Sequence, residues 1–316
     1  MGGLVLGILA WQEGGESVAA LLTTGVIAMG ALAYWLTRRK RAGKPTLIDP
    51  DLFSSTLFRF GISQQMLQQI SLGGAMIALP IFLQMVLEYN AMQAGLSLAP
   101  LSLSMFAVAV LAGKKAGKRR PASIIRLGYA LLTVGIALLI PIVPRAEFGW
   151  ALIIPLLIAG SGLGLLVSQL NNYTLSPISD ERVSEAASVN SAAGSFGLSF
   201  GLAFAGAIML ATLSFSFTNL AQASTVLPAA EKQQVAQVLE ENAQLMTNTQ
   251  LEQLLVNQPP EIQDEIIRIN TEARPISLQV ALLIPVLAGL IGLFNSFRMM
   301  RLPDPKPSGA EGTTLG

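Results

Sequence analysis

Apolar runs of membrane length alternate with short polar breaks through most of the chain. Val18–Leu36 is the first run of full length. Gly61–Leu87, Ala91–Ala112, Ile124–Val143, Trp150–Leu170, Glu185–Leu213 and Pro275–Phe297 follow it. A helix needs about 20 mainly apolar residues to cross the hydrocarbon of a bilayer. The pattern therefore predicts an all-α integral membrane protein with about seven transmembrane helices. Gly2–Trp11 is also apolar, but a helix of that length rises only about 15 Å, so it reads as a partial helix whose beginning is missing.

The polar segments set the boundaries. Residues 1–17 hold the partial helix and an outer turn, and 18–37 a full span. Residues 38–60 form a basic linker broken by Pro45 and Pro50. Residues 61–213 and 275–298 supply six further spans, separated by a hydrophilic insert at 214–274. Within that insert Leu, Ile and Val recur every three or four residues over Ala229–Leu245 and Glu261–Glu272, which predicts two or three short amphipathic helices. The tail at 299–316 ends in a polar, Pro/Gly-rich stretch expected to be disordered.

Composition sharpens the class. Hydrophobic residues make up 52% and charged residues 12% of the 316, against about 25% charged in soluble domains. The chain has no cysteine and no histidine, which removes disulfides, thiolate metal sites and the usual acid–base side chain. No catalytic residue, metal site or nucleic-acid partner is expected. No phosphate loop and no paired carboxylates within a span support an enzyme.

The charges orient the chain. The linker at 38–59, the loop Gly113–Arg126, the segment Asn171–Ser184 and the C-terminus together carry 16 of the 20 Lys and Arg. Alternation of the spans puts all four on one side. The positive-inside rule makes that side cytoplasmic, with the C-terminus there and the insert outside. Localisation in the plasma (cytoplasmic) membrane, with multiple passes, is expected.

Ionisable groups inside a membrane are functional candidates because burying charge in lipid is costly. None of the 19 acids falls near a span centre, and only Glu88 borders one, at its outer end. Glu88 reads as an interfacial residue or as an external proton or cation contact. Gln64, Gln65, Gln68 and Gln69 form one helical stripe, either lining a cavity or bonding neighbouring helices. The candidates for a substrate cavity are Gln68, Gln69, Met76, Gln84, Asn190, Ser195, Phe196 and Ser199. For Gln84, packing or backbone satisfaction near Pro80 is the competing reading. Gly160 with Gly164, and Gly197 with Gly201, have the four-residue spacing that lets helices approach closely. The insert sets Lys232, Arg268 and Arg274 against eight acids. It reads as a solvated linker or as a weak field for organic cations.

Several stretches resemble the major facilitator superfamily, and within it the fourteen-helix drug:proton antiporters of the EmrB/QacA type. Leu47–Phe53 with Phe58-Arg59-Phe60 resembles the start of that family's ninth helix. Leu79–Gln84 followed by Ala94–Pro100 resembles its next hairpin. Ala159–Gly164 resembles its glycine-rich twelfth helix, and Ser188–Ala193 with Gly197 and Gly201 its thirteenth. The resemblance implies a C-terminal six-helix bundle preceded by linking helices. A separate N-terminal half is missing as a partner, and a proton gradient is the energy source. It also marks Gly113, Lys114, Gly117, Lys118, Arg119 and Arg120 as a cytoplasmic gating loop. Two positions depart from the family. Gly117 stands where an Asp is common, and Gly194-Ser195 stand where an Arg-Gln pair is often found.

The function so implied is efflux of small molecules, lipophilic or cationic, by alternating access through a lipid bilayer. Drugs, lipids, siderophores and metabolites all stay open as substrates. The alternative is a non-transporting membrane subunit or scaffold that pairs with a separate N-terminal half.

Overall fold

The computed structural model describes residues 18–43, 46, 48–114, 120–228, 232–233, 235–236, 239 and 247–303. The expected partial helix within 1–17, loop residues 115–119, most of the stretch expected to be amphipathic at 229–245, and the tail from 304 lie outside the described residues. Among the described residues all regular structure is helical, so the all-α class expected from the sequence holds. The helices are α1 (Val18–Arg41), α2 (Thr56–Ile81), α3 (Ala91–Gly113), α4 (Pro121–Ile142), α5 (Ile153–Leu175), α6 (Val183–Ala223), α7 (Asn248–Leu255) and α8 (Pro260–Met299). Six of them, α2 to α6 and α8, are long and apolar enough to cross a membrane. α1 has 24 residues, also enough to span, and exposes Val26, Ile27, Leu32 and Tyr34.

Three boundaries differ from the sequence expectation. α2 starts at Thr56, before the expected Gly61, because Ser55 caps it by accepting the Phe58 N–H and the short 3-10 turn Pro50–Ser54 leads into it. α6 continues past Leu213 to Ala223. α8 starts at Pro260, so the helix expected over Glu261–Glu272 is not separate but continuous with the last span across Pro275. A proline inside a helix removes one backbone hydrogen bond and usually kinks or breaks it. Here the flanking helix is held from outside. Leu213, Phe217 and Ala221 of α6 pack with Leu251 of α7 and with Ile266, Ile269 and Ala273 of α8. The segment expected as a solvated insert thus carries its own hydrophobic core, distinct from that of the bundle.

Glycine spacing decides how the bundle helices meet. α5 serves two neighbours from alternate glycines. A Cβ on Gly160 would stand 2.2 Å from the Leu101 carbonyl oxygen of α3, and one on Gly164 2.5 Å from that of Met105. Gly162, between them, faces α4, where a Cβ would stand 2.4 Å from the Leu132 nitrogen. α2 and α6 meet the same way, with Gly197 against the Met66 carbonyl, Gly201 against that of Ile70, and Gly73 against that of Leu198. Without a driving force from water, such close backbone contact is what holds membrane helices together. Around it lies one apolar core that includes Leu79, Phe82, Leu132, Leu156, Leu163 and Leu282.

Two carbonyls at irregular helix ends are met by side chains. Pro144 has no N–H to give the Ile140 carbonyl, and the Gln279 amide of α8 donates to it at 2.8 Å. After Pro80, α2 widens into the π-helical turn Phe82–Val86. The Met85 carbonyl in that turn accepts the Arg274 guanidinium at 2.7 Å.

Candidate functional site

The glutamine stripe of α2 divides between two jobs. Gln64 is fully buried and its side-chain amide donates to the Gly292 carbonyl at 3.0 Å; its backbone carbonyl accepts the Tyr129 hydroxyl at 2.6 Å, and its side-chain oxygen has no partner. It bonds α2 to α8 and α4. Gln65 and Gln69 point the other way, toward α6. The Gln65 amide lies 3.2 Å from where a Gly194 Cβ would be, and the Gln69 Cβ lies 3.2 Å from that of Gly197. Glycines on α6 thus make room for amides on α2, and Gly194 is an open floor under Gln65.

Gln68 is 3% exposed, and its side-chain oxygen has no hydrogen-bond partner; the same holds for the buried Gln69 oxygen. An unmet amide oxygen in low dielectric costs about 1–3 kcal/mol. Such a group is ready to accept a bond from a ligand or water. Gln68 lies twelve positions into α2, about 18 Å along the axis, and Ser195 lies twelve positions into α6. The two helices therefore present polar groups at similar distances from their starts.

On α6, Asn190 donates to the Asn171 side chain of α5 at 3.1 Å and keeps its own oxygen unpaired. Ser195 is exposed and Ser199 half-buried. Phe196 begins an aromatic ladder, with ring centroids 5.9 Å from Phe200, and Phe200 lies 5.4 Å from Phe204. Met76 is half-buried against the main core, and Gln84 sits in the π-helical turn, away from the glutamine stripe. A void lined by Ser71, Leu79, Leu101, Leu132 and Leu156 lies within the bundle, and none of the expected cavity residues lines it.

No ionisable side chain occurs from Phe60 to Leu87 or from Ala186 to Ala223. Both helices are therefore neutral over these spans: Gln65 and Gln69 of α2 face the α6 glycines, while Gln68 and the Phe196–Phe204 ladder lie on other sides of their helices. The amides can hydrogen-bond polar atoms of a lipophilic molecule, and the ladder can attract a cation over a ring. Among the described residues no three acidic side chains converge as a metal site would require.

Of the loop residues expected to gate, Gly113, Lys114 and Arg120 lie at the basic end of the bundle. Gly113 ends α3, and the Lys114 N–H bonds the Val110 carbonyl. Arg120 caps α4 and reaches the Met300 and Leu302 carbonyls past the end of α8, each at 3.5 Å. Gly117, Lys118 and Arg119 lie outside the described residues.

Two polar clusters join residues whose pairing the sequence did not show. At the basic end Lys40 pairs with Asp49 at 2.5 Å and with Asp51. Arg182 pairs with Asp49 at 3.3 Å and with Glu185 at 3.4 Å, and Glu185 accepts the Asp49 N–H. The Lys40 ammonium, helped by the Asp51 N–H, holds the Asp49 carboxyl below its ordinary range. The linker after α1 is thereby clamped to the turn before α6. Its signal was the Asp49-Pro50-Asp51 stretch, legible as a motif but not as a clamp.

At the other end Glu88 takes a left-handed φ of 54°. It accepts the Thr249 N–H at 3.0 Å and the Thr249 hydroxyl at 2.5 Å. Burial pushes its carboxyl up, but the bonds from Thr249 and Asn248 and the nearby Arg274 charge outweigh it, and the group titrates below its ordinary value. Arg274 itself is only 6% exposed. The sequence reading, which placed it among the charges of the insert, gave no sign of that burial.

A family profile described as Major Facilitator Superfamily matches residues 1–202. Proteins named multidrug resistance protein MdtD from Yersinia pestis (strain Pestoides F) and Yersinia pseudotuberculosis serotype O:1b (strain IP 31758) are each 30% identical over 203 residues. The aligned part is 63% of this chain and 41% of each relative. The chain thus spans about two fifths of the length of the curated relatives it matches.

Proposed function

The chain belongs to the major facilitator superfamily, and on that premise we propose that it forms part of a small-molecule efflux transporter. Its substrates are lipophilic, organic cations among them, and they move by alternating access. The observation that carries this reading is the pair of uncharged spans in α2 and α6. The unmet Gln69 oxygen lies on α2 beside α6, and the Phe196–Phe200–Phe204 ladder runs along another side of α6. Intramembrane polar groups without partners stand at a cost that a ligand-binding role repays. The names of the MdtD relatives support multidrug substrates.

The finer reading is a C-terminal bundle of the fourteen-helix EmrB/QacA type, with α1 as the second linking helix. A companion N-terminal half completes the pathway and supplies the proton-coupled carboxylate, since the α2–α6 face has none. The distribution of Lys and Arg supports placing the basic end, with the C-terminus, in the cytoplasm, and the inner membrane as the location.

The test is transport in everted membrane vesicles. The chain is expressed with the N-terminal half of an MdtD-type relative, and ethidium uptake is followed as a proton gradient is imposed. Uptake that collapses with an uncoupler supports the proposal. If no lipophilic cation or neutral drug in a broad panel moves, although both halves are in the membrane, the transport reading is wrong.

A further inference from the structure

The basic end of the bundle holds a second feature that the α2–α6 face does not use. Arg126 of α4 lies over the Phe297 ring of α8, 5.4 Å from its centroid. Arg298 lies over the Phe60 ring of α2 at 5.9 Å, on another side of α8. Arg301 follows Phe297 by one turn and is exposed. Among the described residues, no ion pair engages these three arginines, whereas Asp49, Asp51 and Glu185 pair with Lys40 and Arg182. A guanidinium laid on an aromatic ring has a fixed plane while its N–H groups stay open to an oxyanion.

Directly below this cationic rim, α8 presents an apolar stripe on the same face as Phe297. Phe294, Leu290 and Leu287 recur three or four residues apart, and all are exposed. Leu127 and Val134 of α4 are exposed likewise. A cationic rim continuous with two apolar stripes matches one kind of molecule, an anion that carries long acyl chains. We infer that the α4–α8 seam at the basic end is a binding site for one anionic glycerophospholipid. Its phosphate sits between Arg126 and Arg301, and its chains lie along Phe294 and Leu290. The diffuse attraction of any basic loop for an anionic leaflet is a different thing, because here particular side chains define a place.

Native mass spectrometry of the purified chain tests this, with dioleoyl phosphatidylglycerol and dioleoyl phosphatidylcholine titrated in parallel. Phosphatidylglycerol is expected to be retained at least fivefold better. Arg126→Gln should remove most of that preference, whereas Arg298→Gln, on the α2 side of α8, and Arg145→Gln, at the opposite end, should leave it intact. Arg301→Gln changes an exposed side chain, so it probes the site without disturbing packing, and it should weaken retention at least twofold. Equal retention of the two lipids, or an undiminished preference in Arg301→Gln, overturns the proposal. Displacement of phosphatidylglycerol by equimolar inorganic phosphate also overturns it, since the site would then read the anion alone.

Discussion

The carboxylate of Glu88 receives both the backbone N–H and the hydroxyl of Thr249, residues 161 positions apart in the chain. One bond network thereby joins the turn after α2 to the start of α7. Because Arg274 also reaches the Met85 carbonyl just before that turn, the insert is docked on the bundle at two adjacent points. Thr249→Val removes the hydroxyl and keeps the shape. Hydrogen exchange over α7 is expected to speed up about three- to tenfold, the equivalent of about 1 kcal/mol for a lost bond to a charged group. Unchanged exchange would show that the apolar contacts of Leu251 hold α7 without Glu88.

The clamp at Asp49 depends on pH in one direction. Its carboxyl is held below the ordinary value of 3.8, so the folded state binds a proton less readily than the unfolded chain. Its stabilisation is complete above that ordinary value and is lost as pH falls through the lower folded value. The groups are about one-third exposed, so the whole effect is about 1 kcal/mol or less. Leu52 is buried beside the clamp, and the chain has no native cysteine, so thiol labelling of Leu52→Cys reads the linker directly. With a dithiodipyridine reagent, which still reacts with thiols in acid, Asp49→Asn should raise labelling at neutral pH and flatten its rise on acidification.

Gly201→Leu should be among the most damaging single changes in the bundle. Even a Cβ there would stand 2.4 Å from the Ile70 carbonyl, so α2 and α6 must separate. Overpacking of this kind costs about 1–3 kcal/mol, visible as a lower melting temperature in detergent. Gly30→Leu, where a Cβ meets nothing within 4 Å, is the control and should have little effect.

Gln68 and Gln69 should separate transport from stability. Gln69→Leu keeps the volume and removes an unmet polar oxygen, so the melting temperature should hold or rise. Ethidium movement in the assembled transporter should fall several-fold, and Phe196→Ala should affect flat aromatic cations more than neutral drugs. Gln64→Leu should do the reverse and cost stability, because it removes the side-chain amide that ties α2 to the Gly292 carbonyl of α8. If Gln69→Leu leaves every substrate unaffected, the α2–α6 face is packing only.

Residues equivalent in sequence thus take different roles. Gln64 and Gln65 are adjacent members of one stripe, yet one bonds α8 and the other lies on α6. Gly160, Gly162 and Gly164 read as one glycine-rich run, yet they serve two different partners. Nothing in the linear pattern distinguishes them, because the neighbour each meets depends on rotation about the helix axis and on which helices stand there.

What the sequence determined by itself was the class and the count of long apolar segments. Length and hydrophobicity dictate both, since a backbone in lipid must satisfy its own hydrogen bonds and does so as a helix. It also marked the neutral glutamine and serine positions and the clustering of basic residues. The tertiary structure decided where helices end and which polar groups are paired. α8 runs through Pro275 because a second core supports it on the far side. Arg274 is buried, and Glu88 is a docking point, because chain segments remote in sequence come together there. Those contacts are set by packing between helices, and local sequence carries no record of them.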